Sequence, residues 1–300
     1  MIKPFFTGAC TALVTPFLGG EVNYPMLEVL LKRQMDAGIK AVVIAGTTGE
    51  APTLSDDEKI RMFRMAKEVT KDRCLVIAGT GSNDTSHAAE LSIAAQEAGA
   101  DGLLVVSPYY NKAENDGLTA HYLTVAHAVR IPVIIYNVPS RTGVDIPVSV
   151  YRTLSRIPNI AGVKEASPSI SKSLEILSLC SEMSLWTGND DMTTAVMALG
   201  GAGVISVAAN ADPVRVNAMT LAALDGDFDT AASLQIQLQP LIKALFTQVN
   251  PIPIKASMQL LGYDCGNCRL PLTMASADLQ QTLAELIKKI PPVCPGEFLI

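Results

Sequence analysis

Short, wholly apolar runs alternate along this chain with longer stretches of helical period, and the alternation repeats eight times. The runs read as strands cover residues 8–14, 41–45, 75–78, 102–106, 133–136, 160–164, 184–187 and 203–206. They are apolar at consecutive positions rather than at every second one, as in a parallel sheet covered on both faces. Between them, helical spacing is clearest over 24–37, 55–71, 84–98 and 118–129. Ser55-Asp-Asp-Glu58 is a capping box, and Gly38 and Gly99 stand just past predicted helix ends. Eight strand–helix units suit one closed (β/α)₈ barrel better than two doubly wound domains. No Gly/Ser/Pro-rich linker divides them. From about Asp227 the strand runs stop, and helical patterns cover 230–247, 254–261 and 276–290, ending at Pro291-Pro292. The reading is therefore an α/β TIM barrel over 1–226 with a helical segment, 227–300, packed against it.

Composition narrows the function classes. Of 300 residues, 49% are hydrophobic and 17% charged, against about 25% charged in an average soluble protein. A large core is expected, and disorder is excluded. A net charge of −6 without a basic stretch argues against nucleic acid, whose phosphates call for clustered lysine and arginine. No apolar run approaches the length of a membrane span, and the residues up to Leu18 lack the clean apolar core and cleavage site of a signal peptide. A cytoplasmic location is expected. The six cysteines (Cys10, Cys74, Cys180, Cys265, Cys268 and Cys294) read as reduced thiols. Cys265-Gly-Asn-Cys268 lacks two further ligands for zinc, and His87, His121 and His127 make no metal spacing, so no metal is expected.

In barrels of this kind the chemistry gathers at the C-terminal ends of the strands. There the apolar runs give way to Gly46-Thr47-Thr48-Gly49-Glu50, Ser107-Pro108-Tyr109-Tyr110-Asn111, Tyr136-Asn137-Val138-Pro139-Ser140-Arg141-Thr142-Gly143, Lys164-Glu165 and Gly188-Asn189-Asp190-Asp191. Lys164 ends an apolar strand. Desolvation there disfavours the ammonium form, and a free amine attacks a ketone to give a Schiff base. The other reading is a solvated lysine paired with Glu165. Tyr136 and Tyr110 read either as proton carriers linked by a hydroxyl such as Thr47, or as amphipathic plugs with a wet hydroxyl. The turn at Gly46–Gly49 offers amides and hydroxyls to a small anion. Arg141 reads either as a bidentate carboxylate clamp or as a surface arginine. Gly79-Thr80-Gly81 has Asp84 where a dinucleotide fingerprint needs its third glycine, and no phosphate loop occurs.

Taken in order, these segments, with Val163-Lys164-Glu165, Gly203-Val204-Ile205-Ser206 and Asn250-Pro-Ile-Pro-Ile-Lys255, resemble the dihydrodipicolinate synthase family of pyruvate-dependent class I aldolases. The resemblance runs from about Phe6 to Ile290. It implies a lyase of lysine and diaminopimelate biosynthesis that condenses pyruvate with L-aspartate 4-semialdehyde, usually as a homotetramer of paired dimers. It implies no cofactor beyond a covalent pyruvate imine on Lys164. Tyr136 would be the general acid/base, linked through Thr47 to Tyr110 of a neighbouring subunit. Thr47 and Thr48 would hold the pyruvate carboxylate, Gly188 and Ile205 would shape the pocket, and Arg141 would hold the semialdehyde carboxylate. Sister enzymes, the N-acetylneuraminate lyases and keto-sugar-acid aldolases, usually lack that arginine. A non-catalytic barrel binding small acids has no need of a proton relay.

The same resemblance implies an effector corner near 53–59, 83–87 and Tyr109, where lysine binds in sensitive members. Those members usually carry a glutamate at the place of His87 and a histidine at that of Lys59. Loss of the anion and gain of a cation should weaken binding of a cationic ligand, leaving Asn83 and Tyr109 as residual contacts. Asn189 stands where an aspartate is common.

Overall fold

The computed structural model describes residues 3–290. Eight parallel strands close into a barrel: β1 (Gly8–Ala12), β2 (Ala41–Ile44), β3 (Leu75–Gly79), β4 (Gly102–Val106), β5 (Val133–Asn137), β6 (Ile160–Glu165), β7 (Ser184–Thr187) and β8 (Gly203–Ser206). Each pairs with its neighbours in sequence, and β1 closes the ring on β8 with Gly8 opposite Gly203. The fold is the expected TIM barrel. β1 is shorter than its apolar run because the Val14 amide leaves the sheet for the side-chain carbonyl of Asn210, at 3.0 Å.

The interior explains the unusual strand composition. Small residues on β1 and β2 (Cys10, Ala12, Ala41) face the large side chains Trp186, Ile134 and Leu104, so one inner cluster fills the barrel. Phe6 stacks on Trp186 with ring centroids 4.6 Å apart, and the Trp186 indole donates to the Phe6 carbonyl, packing this corner of the core. At Gly203 an added Cβ would come within 1.9 Å of the Gly8 carbonyl oxygen, so only glycine allows that closing strand pair.

Helices α1 (Tyr24–Asp36), α2 (Asp56–Thr70), α3 (Thr85–Glu97) and α4 (Asn115–Ala128) follow β1 to β4. The capping box is formed: Ser55 Oγ accepts from the Glu58 amide and the Glu58 carboxylate from the Ser55 amide. Two short helices, α5 (Pro139–Thr142) and α6 (Val148–Leu154), follow β5, and α7 (Ile170–Leu179), α8 (Thr193–Ala198) and α9 (Pro213–Leu224) complete the ring. The C-terminal segment adds α10 (Phe228–Leu245), α11 (Ile252–Leu260) and α12 (Ala277–Ile287), with α10 against α9 and α12. The sequence reading has no element at the small hairpin of Phe17–Leu18 and Glu21–Val22, whose Gly19-Gly20 turn is left-handed at both residues. The expected stop at Pro291-Pro292, the tail after it and Cys294 lie outside the described residues. No helix among the described residues is long and apolar enough to cross a membrane.

Candidate active site

The C-terminal ends of β2, β3, β4 and β5, with the turns that follow them, line a cavity of about 720 Å³. Thr47, Tyr109, Tyr136, Val138, Arg141 and Thr142 line one part of it. Lys59, Asn83 and His87 line it as well, so Thr47, Tyr136 and Arg141 share a cavity with the effector candidates, whereas Lys164, Thr48, Gly188 and Ile205 are not part of its lining.

Lys164 stands beside Tyr136 because β5 and β6 are in register there, and its Nζ lies 4.2 Å from the Tyr136 ring centroid. Its side chain is buried and, among the described residues, in no ion pair. The alternative of a solvated lysine paired with Glu165 is thereby corrected. Successive strand residues point to opposite faces, and Glu165 turns away to accept from Asn137 Nδ2 and the Ser167 amide, with Lys172 Nζ 3.9 Å off. Gly188, just past β7, provides the room: a Cβ there would lie 2.9 Å from Lys164 Cε. Ile205 is buried on β8 among the inner cluster.

The turn after β2 divides its amides into two sets. The amides of Gly49, Glu50 and Ala51 are spent on the turn's own carbonyls, at 3.1 to 3.2 Å. The amides of Gly46, Thr47 and Thr48 take no such bond among the described residues. Thr48 is buried, and its Oγ1 accepts from Asn250 Nδ2 at 3.0 Å. Arg141 is exposed, and its Nη2 donates to the Asn250 carbonyl at 2.8 Å. Asn250, which the sequence reading assigned no role, thus ties Thr48 to Arg141 from the C-terminal segment.

Tyr110 is not brought to this cavity. It is 88% exposed, with a left-handed φ of 71°, and its amide donates to the Thr142 carbonyl at 3.3 Å. Within one chain no hydrogen bond joins Tyr136, Thr47 and Tyr110 among the described residues.

Two residues after β7 gain a structural account. Asn189 Nδ2 donates to the Ser167 carbonyl at 2.8 Å, joining the loops after β6 and β7; an aspartate there has no proton to give. Asp190 is buried, and its carboxylate accepts from Ser206 Oγ and from the amides of Val207 and Ala208. Burial pushes its carboxyl above the usual range, although those hydrogen bonds and the Lys164 charge pull the other way. Sequence reading named Asp190 only as part of a polar run, because neither its burial nor its partners on β8 are local.

The Cys265 and Cys268 thiols are pushed up by burial, to about 12 and about 11, so both are protonated at neutral pH and poor nucleophiles. No cluster among the described residues has the makings of a metal site.

The family model described as the dihydrodipicolinate synthetase family matches residues 5–290. The chain is 45% identical over 290 residues to the 4-hydroxy-tetrahydrodipicolinate synthase of Acetivibrio thermocellus, covering 96% of this chain and 97% of that one. It is 44% identical over 293 residues to that of Kosmotoga olearia, with 96% and 98% covered. Among solved structures, dihydrodipicolinate synthase from Aquifex aeolicus superimposes with a TM-score of 0.93 at 44% identity, covering 95% of this chain and 98% of that one. The enzyme from Cyanidioschyzon merolae with lysine bound gives 0.92 at 38% identity over 95% and 98%. With a matching barrel and identity of this extent along nearly the whole chain, the protein belongs to the dihydrodipicolinate synthetase family.

Proposed function

We propose that the protein is a 4-hydroxy-tetrahydrodipicolinate synthase, a lyase condensing pyruvate with L-aspartate 4-semialdehyde through an imine on Lys164. The observation that carries the mechanism is the buried, ion-pair-free Lys164 beside Tyr136, in a family whose curated relatives bear that name. The amine of Lys164 adds to the ketone carbon and water leaves. The imine then withdraws electrons, so a methyl proton departs and the resulting enamine carbon attacks the aldehyde. Tyr136, with its ring against the amine, is placed to move the protons of imine formation. Thr47 and Thr48 receive the pyruvate carboxylate, and Arg141 that of the semialdehyde. No further cofactor takes part.

The complete site in this reading needs a second subunit, which supplies Tyr110. Its exposure, together with that of Val249, Leu270 and Met274, supports a paired dimer within a homotetramer, and the biosynthetic role supports a cytoplasmic location. Borohydride treatment with pyruvate, followed by intact mass, tests the imine. The expected adduct is one pyruvate less one water plus two hydrogens, present in the native protein and absent in Lys164→Ala. An adduct surviving that substitution would sink the mechanism. Turnover of aspartate semialdehyde, compared with keto-sugar acids, then tests the substrate.

A further inference from the structure

The turn that carries Thr47 and Thr48 is fastened from about 200 positions away in sequence. Glu50 closes it in a left-handed conformation, φ 59°, which a residue with a Cβ adopts only under constraint. Its carboxylate supplies the constraint: Oε1 accepts from Lys255 Nζ at 2.8 Å and Oε2 from the Arg269 amide at 2.8 Å. Both side chains of the Glu50–Lys255 pair are at least 97% buried. Lys255 Nζ also donates to the Asn267 carbonyl at 2.9 Å and lies 4.2 Å from the Phe17 ring centroid. The Arg269 guanidinium lies 4.4 Å from the same ring and bonds to the carbonyls of Gly20 and Thr53 and to the Glu58 carboxylate. Phe17 donates its amide to the Cys265 carbonyl, which wraps the Cys265–Cys268 loop around this point. The C-terminal segment therefore grips the turn twice, at Thr48 through Asn250 and at Glu50 through Lys255 and Arg269.

We propose that Glu50 and Lys255 are positioning residues for the reaction: their buried ion pair holds the Thr47-Thr48 turn in the shape that receives the pyruvate carboxylate. Neither touches substrate. The inference rests on the pyruvate-imine reading above. A buried charge pair broken on one side leaves the other charge uncompensated, so the remaining group draws in water or moves, and the turn shifts with it. Because the turn binds the carboxylate in both ground and transition states, the loss falls mainly on pyruvate binding, with a smaller loss of turnover through Thr47.

Steady-state kinetics on Lys255→Met, Glu50→Gln and the conservative Lys255→Arg tests this, with borohydride trapping alongside. KM for pyruvate should rise about tenfold in Lys255→Met and Glu50→Gln, below the roughly hundredfold a 1 Å misplacement can cost. In those variants kcat should stay within about threefold of native, and the imine should still be trapped at saturating pyruvate. Lys255→Arg, which keeps the charge, should recover most of the pyruvate affinity. Should a single variant fail to fold, the double variant Glu50→Gln/Lys255→Met removes both charges together and leaves none unpaired; raised KM is again expected. Folded variants with native KM for pyruvate, or with kcat alone reduced, would overturn the proposal. Absence of any adduct in the native protein would instead overturn the imine reading.

Discussion

Asp56 stands at the corner where the family resemblance implies an effector site. Its carboxylate accepts from His87 Nε2 at 2.7 Å and pairs with Lys59 Nζ at 3.0 Å. Burial raises the Asp56 carboxyl, but the hydrogen bonds and charge interactions with His87 and Lys59 together hold the group below the usual range. The Asp56 carboxylate is thus already engaged, and a lysine ligand meets His87 where sensitive relatives are expected to offer a glutamate, and the cation Lys59 where they are expected to carry a histidine. Lysine should inhibit only above the millimolar range. Lys59→His combined with His87→Glu should lower the half-inhibiting concentration by about tenfold or more, since about 1.4 kcal/mol of restored attraction suffices for that factor. Sub-millimolar inhibition of the native protein, read in an initial-rate assay, would contradict this account.

At the level of packed elements, α4 leans on α3 through a buried histidine. His121 Nδ1 shares a 2.9 Å hydrogen bond with Thr85 Oγ1 in the first turn of α3, and Nε2 has no partner among the described residues. Burial pushes its pKa from the ordinary 6.5 down to about 4. The folded state holds the neutral ring, so stability is complete above pH 6.5. As pH falls from 6.5 towards 4, the unfolded chain takes up a proton that the folded chain refuses, and stability is lost. Between pH 7.5 and pH 5 this costs about 2 kcal/mol. His121→Asn keeps a polar atom for Thr85 and does not titrate in this range. Its loss of stability over the same interval, from urea unfolding at matched concentration, should be smaller than native by that amount; an unchanged pH slope would refute the assignment.

Across the whole molecule, one chain closes the barrel but leaves Tyr110 outside its own cavity. The strained left-handed backbone at this exposed aromatic carries no benefit visible within the chain, whereas a symmetric pair lets each copy lend the residue to the other. Tyr110→Phe and Lys164→Ala should each be nearly inactive alone. Mixed after dissociation and reassembly, they should regain about a quarter of native activity, because half of random pairs are hybrids and each hybrid has one complete site. No recovery, with hybrids verified by native mass spectrometry, would refute the exchange between subunits, and native activity of Tyr110→Phe alone would place Tyr110 outside the reaction.

The eight apolar runs determined the barrel without help from tertiary contacts, because a strand buried on both faces must be apolar at every position. They also placed Thr47, Tyr136 and Lys164 on one rim, since a parallel barrel puts all strand ends together. The sequence could not decide whether Lys164 was solvated, because burial depends on what β5 and β7 pack around it. Nor could it show Asn250, Lys255 and Arg269 bonded to the Thr47–Glu50 turn and its flank, or Asp190 bonded to the end of β8. Those are hydrogen bonds between residues far apart in the chain, with no local period to announce them. Only the closed barrel, with its C-terminal segment folded back onto the mouth, brings donors and acceptors within 3 Å of each other.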